Sequence, residues 1–315
     1  MHELAVYSIP LRTSFRGITH REGMIVQGPH GVAEFSPFPE YNDHEAARWL
    51  ACTQEAAQGH WPVPVRDTIP VNCIVPAVAP DTAARLVRES GCTTAKVKVA
   101  ERGQSEAHDI DRVEAVRHAL GPHGKLRIDA NGAWDIDQAV RMISKLNGYD
   151  LEYAEQPCAS VDELAAVRRQ VSVPIAADES IRRAQDPLLV ARAQAADIVV
   201  VKVQPLGGVR AALRIAQECG LPAVVSSAVE TSVGLAASVA LAAALPELPY
   251  ACGIGTMSLL DGDLVEESLI PVDGNIAVRP VATALNRLDQ FRACAEREAW
   301  WRARFKRVQR ITLSV

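Results

Sequence analysis

Charged and amide side chains close one apolar run of this chain after another. Lys96-Val97-Lys98 ends the run Ala95–Val99, and Asp129-Ala130-Asn131 ends Leu126–Asp129. Glu155 follows Leu151–Ala154, Asp178-Glu179 follows Pro174–Ala177, and Lys202 follows Asp197–Val201. Such groups recur roughly every 25 residues, the length of one strand–helix unit. A single carboxylate at a strand end serves equally well as a helix cap or an ion-pair partner. Three on successive strands, Asp129, Glu155 and Asp178, would converge where mutual repulsion forbids full ionisation without a cation. All eight histidines lie at or before His123, so the donors there are oxygens, and oxygen donors select a hard ion. Mg²⁺ is the expected metal, with Mn²⁺ able to substitute. Asn131, two residues beyond Asp129, is expected on the same side of its strand, supporting the ligands or touching substrate. Glu179, adjacent to Asp178, is expected to point away and be structural.

The lysines flank this cluster. Lys96 and Lys98 are two apart and face one side of a strand, with Val97 and Val99 on the other. Two ammonium groups so close should each have a lowered pKa, which suits one of them as a general base. Simple pairing with the carboxylates is the plain alternative. Lys202, four strands further round, would face Lys98, so a substrate between them meets a base on one side and a cation on the other. The chemistry is removal of a proton beside a carboxylate, with cations stabilising the charge that develops. A different class, a Schiff-base aldolase with Lys98 or Lys202 as nucleophile, would leave the three carboxylates unexplained.

The elements that must hold these groups follow from the alternation of β-branched runs with helical patterns. Eight strands are expected: Val71–Val75, Ala95–Val99, Leu126–Asp129, Leu151–Ala154, Pro174–Ala177, Asp197–Val201, Ala223–Val225 and Tyr250–Ile254. Between them, Ser160 with Glu163 reads as a capping box, Asp186-Pro187 as a helix start and Gly220 as a helix stop. Val209, Ala212, Leu213 and Ala216 form an apolar stripe. This is α/β architecture, a (β/α)8-type, TIM-like barrel that one irregular unit would turn into (β/α)7β. Residues 1–66 read as an α+β capping domain of strands Leu4–Ile9, Met24–Gln27 and Val32–Phe35 and a helix from Asp43. Residues 272–315, with a turn at Asp273-Gly274-Asn275 and a charged helix, complete it, and residues 67–271 form the catalytic barrel. The basic run Arg302, Arg304, Lys306 and Arg307 reads as a solvated helix face.

Bulk properties agree. With 48% hydrophobic and 23% charged residues the 315-residue chain has ample core material, and its net charge of −5 disfavours nucleic acid as a partner. Neither the polar N-terminus, interrupted by Pro10, nor the alanine-rich stretch Val233–Leu245 reads as a membrane span. Seven irregularly spaced cysteines without a C-x-x-C pair read as reduced thiols of a cytoplasmic protein. The expected partner is a small carboxylate substrate, and the oligomeric state, a monomer included, is left open.

The series A-K-V-K-V, R-I-D-A-N-G-A-W, E-Q-P, A-D-E-S and V-K-V-Q-P-L-G-G, spread over residues 70–260, resembles the muconate-lactonising branch of the enolase superfamily. With G-I-G-T at Gly253–Thr256 and V-S-S-A at Val225–Ala228, the resemblance is strongest to members that dehydrate 2-succinyl-6-hydroxy-2,4-cyclohexadiene-1-carboxylate to o-succinylbenzoate in menaquinone biosynthesis. It implies that Asp129, Glu155 and Asp178 are Mg²⁺ ligands. It makes Lys98 the residue that takes the ring proton and returns it to the leaving hydroxyl, Lys202 a stabilising cation and Lys96 the support of Lys98. Asn131, Ser226, Ser227, Gly253 and Thr256 would line the substrate pocket, with the cap near Phe15–Ile18. N-succinylamino acid racemases and dipeptide epimerases of the same superfamily are the alternative. Gly253-Ile254-Gly255 lacks the Asp-x-Asp that epimerases carry, and Pro205 stands where racemase-competent relatives carry arginine.

Overall fold

The structure, a computed structural model, describes residues 1–15, 17–59 and 61–312. Its first strands, β1 (His2–Phe15), β2 (Ile18–Gln27) and β3 (Val32–Phe35), form an antiparallel sheet in that order. They run longer than the apolar alternation alone indicates, because the β1–β2 pairing continues past Pro10 to join Phe15 with Ile18. α1 (Asp43–Gln58) starts at a capping box between Asn42 and Glu45 and packs on β3.

The next strands are β4 (Thr68–Pro70), β5 (Cys73–Val75), β6 (Thr94–Lys98), β7 (Lys125–Asp129), β8 (Leu151–Glu155), β9 (Ile175–Ala177), β10 (Ile198–Lys202) and β11 (Ala223–Ser226). From β5 to β11 they form one parallel sheet in chain order. Parallel strands covered on both faces read as unbroken apolar runs, and the five residues of β10 are all buried. Within that run the two faces are distinct. Ile198 and Val200 pack with Tyr153, Ala176 and Val224 inside the barrel, whereas Val199 and Val201 join the main core beneath the helices. The inward series continues to Lys202. By the same alternation Lys96 and Lys98, Arg127 and Asp129, and Tyr153 and Glu155 share the inner face.

The expected eighth strand is reduced to a seam. Cys252 bridges Val71 and Gly253 bridges Ser226, through backbone bonds Cys252 N–Pro70 O (2.7 Å) and Gly253 N–Val225 O (2.8 Å). The barrel therefore closes, but two residues do the closing. The unit after β9 is irregular too. In place of one long helix it has two single turns, α2 (Glu179–Arg182) and α3 (Leu189–Arg192), where Asp186 Oδ1 accepts from Leu188 N at 3.1 Å and nucleates a turn ahead of α3. Elsewhere the helix ends match their signals. The Ser160–Glu163 box opens the helix Val161–Arg168, and Gly220 stops the helix Val209–Cys219 in the left-handed region.

The alanine-rich stretch becomes the helix Ser232–Ala244, buried on nearly every side, and among the described residues no helix is long and apolar enough to cross a membrane. The Asp273-Gly274 turn, both residues at positive φ, leads into a short strand (Asn275–Ala277) on β4. The last helix, Ala295–Thr312, packs against α1 and β1. Its basic residues are not uniformly solvated. Arg304 is 2% exposed and donates to the carbonyls of Pro37, Phe38 and Tyr41, while Arg302 pairs with Glu3 and Arg307 with Asp43.

A buried polar layer joins the N-terminal sheet to the barrel. Glu34 accepts from Tyr7 Oη (2.7 Å), Ser36 Oγ (2.6 Å), Thr231 N (3.1 Å) and Gly234 N (3.1 Å), so it sits at the N-terminus of the helix Ser232–Ala244. Glu230 is buried beside it, one oxygen accepting from Ala228 N and the other without a partner among the described residues. Burial first, and the charge of Glu34 second, push the Glu230 carboxyl up to about 7. Such a group binds a proton on folding, so its penalty is absent at low pH, grows from about pH 4.5 to 7, and is constant above. Glu230→Gln should therefore raise stability by roughly 2–3 kcal/mol at pH 8 and by little at pH 4.5. Urea unfolding at the two pH values checks this, and equal gains at both would refute it.

Candidate active site

At the C-terminal ends of the parallel strands a pocket opens under the N-terminal sheet. Phe15, Phe38, Ile74, Lys96, Lys98, Asp129, Asn131, Arg182, Lys202, Ser226, Ser227, Ala228, Val229, Gly253 and Thr256 line it. Nine of the eleven residues singled out from the sequence are among them. The other two, Glu155 and Asp178, lie against its lysines. Of the expected cap segment Phe15–Ile18, Phe15 lines the pocket, with its ring 5.5 Å from Lys98 Nζ, and Arg16 lies outside the described residues.

Each carboxylate is paired with a cation. Lys96 Nζ lies 2.6 Å from Glu155 Oε2 and 3.3 Å from Asp129 Oδ2, bridging two strands. Lys98 Nζ donates to Asp129 Oδ2 at 2.5 Å and Asn131 Oδ1 at 2.6 Å. Lys202 Nζ meets Asp178 Oδ2 at 2.5 Å, and Arg182 Nε meets Asp178 Oδ1 at 3.0 Å. Burial alone would raise the acids. Against burial, Lys98 and Lys96 hold Asp129 below the usual carboxylate range, and Arg182 and Lys202 do the same for Asp178. Glu155 goes the other way, pushed up to about 7 first by burial and then by the charge of Asp129, with Lys96 opposing.

The expectation that Lys96 and Lys98 lower each other is corrected for Lys96. Burial does pull its pKa down, but Glu155 and Asp129 outweigh it and hold the ammonium above the ordinary lysine value, which suits a support more than a base. Lys202 is lowered, chiefly by burial and also by Arg182, with Asp178 working against them.

Among the described residues no three His, Cys, Asp or Glu side chains stand as a formed metal cluster, since the carboxylates are turned onto these cations. The donor chemistry nonetheless fits a hard divalent ion. Three carboxylates no more than 1% exposed end adjacent strands, with Asp129 in register with Glu155. The like-charge pressure that lifts Glu155 is what such an ion would relieve.

Sequence reasoning missed several groups. Glu179, expected to point away, reaches the pocket rim, accepting from Asn131 Nδ2 (3.2 Å) and Arg182 Nη2 (2.5 Å). Arg182, four residues after Asp178, also donates to Tyr41 Oη. Its spacing of one helical turn from Asp178 was the available signal. Gln156, within E-Q-P, accepts from Asp178 N (2.9 Å) and Ser180 N (3.2 Å), locking the end of β8 to that of β9. Phe38 and Val229 carry apolar side chains and so give no chemical signal in the sequence. At Gly253 a Cβ would stand 2.8 Å from Ser226 Oγ, so a side chain there would have to displace that hydroxyl from the pocket wall.

With this geometry in view, residues 6–57 match the family described as enolase N-terminal domain-like and residues 79–282 that described as enolase C-terminal domain-like. The o-succinylbenzoate synthase of Thermobifida fusca (strain YX) is 67% identical over 303 residues, covering 93% of this chain and 96% of that protein. The o-succinylbenzoate synthase of Mycobacterium ulcerans (strain Agy99) is 50% identical over 308 residues, covering 97% and 93%. The chain belongs to the enolase superfamily and, within it, to the o-succinylbenzoate synthase family. The 2-chloromuconate cycloisomerase of Rhodococcus opacus 1CP shares the fold, with a TM-score of 0.80, 21% identity and coverage of 93% of this chain and 98% of that one.

Arg182 is 3% exposed and balances two carboxylates. Replacing it with methionine leaves Asp178 to Lys202 alone and takes the cation from Glu179, so Arg182→Met should cost about 3 kcal/mol of stability. A shift below ~1 kcal/mol in chemical denaturation would contradict this electrostatic account.

Proposed function

We propose that the protein is a metal-dependent carbon–oxygen lyase that dehydrates 2-succinyl-6-hydroxy-2,4-cyclohexadiene-1-carboxylate to o-succinylbenzoate, a step of menaquinone biosynthesis. The observation that carries the reading is one pocket lined by Lys98, Lys202, Asp129 and the Ser226–Ser227 and Gly253–Thr256 segments, in a chain 67% identical to a protein of that activity. The barrel, residues 67–271, would carry the chemistry, and residues 1–66 with 272–315 would cap it. Seven cysteines, none of them paired, support residence in the cytoplasm.

In this reading Asp129, Glu155 and Asp178 hold Mg²⁺, for which Mn²⁺ substitutes. When bound, the ion accepts carboxylate oxygens of the substrate and stabilises the negative charge that develops there. Lys98 takes the proton from the ring carbon beside the carboxylate and delivers it to the departing hydroxyl on the same face, so one residue serves both half-steps. Asn131 accepts a hydrogen bond from Lys98 Nζ and fixes its direction. Lys202, on β10 and four strands round from β6, which carries Lys98, supplies a second cation without transferring a proton. Lys96 keeps its charge and spaces Glu155 from Asp129. Ser226, Ser227, Gly253 and Thr256 shape the wall against the substrate, with the Ser227 and Thr256 hydroxyls 2.7 Å apart.

Dehydration of this substrate, followed by absorbance, should vanish in EDTA and return with Mg²⁺ or Mn²⁺. Full activity in metal-free protein would end the reading. The lysines separate its two halves. Lys98→Ala should lower kcat by at least ~10²- to 10⁴-fold, and Lys98→Arg should not rescue it, because guanidinium stays protonated. Lys202→Arg keeps the charge and should retain more activity than Lys202→Ala. Near-normal turnover by Lys98→Ala would move the base to Lys96 or Lys202.

A further inference from the structure

Val229 is out of place in its own backbone. It sits at φ +60°, in the left-handed region, where a β-branched residue is an outlier and the backbone is strained. Such a conformation persists only where its surroundings enforce it, and Val229 lines the pocket beside Ser227 and Ala228. Within the turn, Ala228 N donates to Glu230 at 2.8 Å.

From outside the turn, Arg21 of β2 reaches across the junction between sheet and barrel. Its Nε donates to the Val229 carbonyl at 3.0 Å. Its other nitrogens donate to Glu22 O (2.9 Å), Ser36 O (2.5 Å) and Ser36 Oγ (3.0 Å). The guanidinium carbon lies 4.5 Å from the centroid of Phe38, the aromatic wall that the N-terminal segment contributes to the pocket. Arg21 itself is 1% exposed and is not among the pocket's lining residues. One guanidinium thus grips a strained barrel turn and an aromatic wall from behind. A lysine could not, since four acceptors spread over three nitrogens suit only a planar fork.

We propose that Arg21 is a positioning residue that sets the shape of the substrate pocket by holding the Val229 turn in its left-handed conformation and Phe38 beside it. The inference rests on the reading that this pocket takes the cyclohexadiene substrate. Arg21 touches neither Lys98 nor Lys202, whose strands are held by the barrel ladder. Its loss should therefore loosen substrate binding and leave the chemical step nearly intact.

The test uses the full-length, Mg²⁺-loaded enzyme. Arg21→Met should raise KM about tenfold with kcat within about threefold, a pattern that marks lost binding common to ground and transition states. In a Val229→Gly background, where the left-handed turn needs no enforcement, the same substitution should raise KM by less than about threefold. Val113→Ala, a buried position on the helix Glu106–Leu120 and not among the pocket's lining residues, serves as a control of similar destabilisation and should not move KM. Amide hydrogen exchange of residues 226–231 should accelerate in Arg21→Met and not in Val113→Ala. If Arg21→Met does not accumulate as folded protein, Arg21→Lys should give the same split at smaller amplitude. An unchanged KM, an equal KM ratio in both Val229 backgrounds, or an equal rise in Val113→Ala would overturn the proposal. Should the wild-type enzyme not dehydrate the substrate at all, the functional reading fails, and the exchange comparison still judges Arg21 on its own.

Discussion

Charge balance in a space that excludes water governs this molecule. Asp129, Glu155 and Asp178 are carried to one place by adjacent strands and are almost fully buried there. No isolated carboxylate would remain ionised in such surroundings, and the cost of burying one is several kcal/mol. The barrel answers with Lys96, Lys98, Lys202 and Arg182, each within hydrogen-bonding reach of one of the acids. Because every acid has a cationic neighbour and every cation an acidic one, moving any member exposes the others. Readiness to exchange partners is also what a lyase of this kind needs, since its base must be able to leave a carboxylate and meet a substrate.

The scaffold serves that balance through strand alternation. On β8 and β10 the inward face carries uncharged side chains below and a charged one at the C-terminal end, as in Ile198, Val200 and Lys202. Packing in the lower layer fixes the strands, and fixed strands hold the ammonium and carboxylate groups at bonding distance. Gln156 joins the ends of β8 and β9, so that Glu155 and Asp178 cannot drift apart in response to repulsion. The N-terminal segment covers the mouth with Phe15, at the end of β1, and Phe38, in the loop after β3, and so shields these pairs.

Much of this was legible in the sequence because it rests on local periodicity and chemical type. Runs of β-branched residues marked β6 through β11, and the side chains at their ends marked the pocket. Signals failed where tertiary contacts decide. Arg304 reads as one of four exposed basic residues, yet docking of the last helix buries it against three carbonyls. Tyr250–Ile254 has strand composition, but the seam needs only Cys252 and Gly253 to pair. Glu179 follows Asp178 and by strand alternation should point away. The chain turns into a helix at that residue, which swings Glu179 to the rim. Arg21, Gln156 and Val229 act through backbone groups that no residue pattern announces.

The seam between the two ends of the chain bears on how the protein is made. β1 pairs with β2 on one side, while on the other Ser8 N and Val6 O bond Phe291 O and Ala293 N. The N-terminal sheet therefore waits, through synthesis of the whole barrel, for neighbours far downstream in the chain. Until then Arg304 is absent from the Phe38 loop, and the roof of the pocket lacks its final fastening. A nascent chain can assemble its strands and helices in order, yet the enclosed chamber is fastened only once the segment 291–304 has followed the barrel.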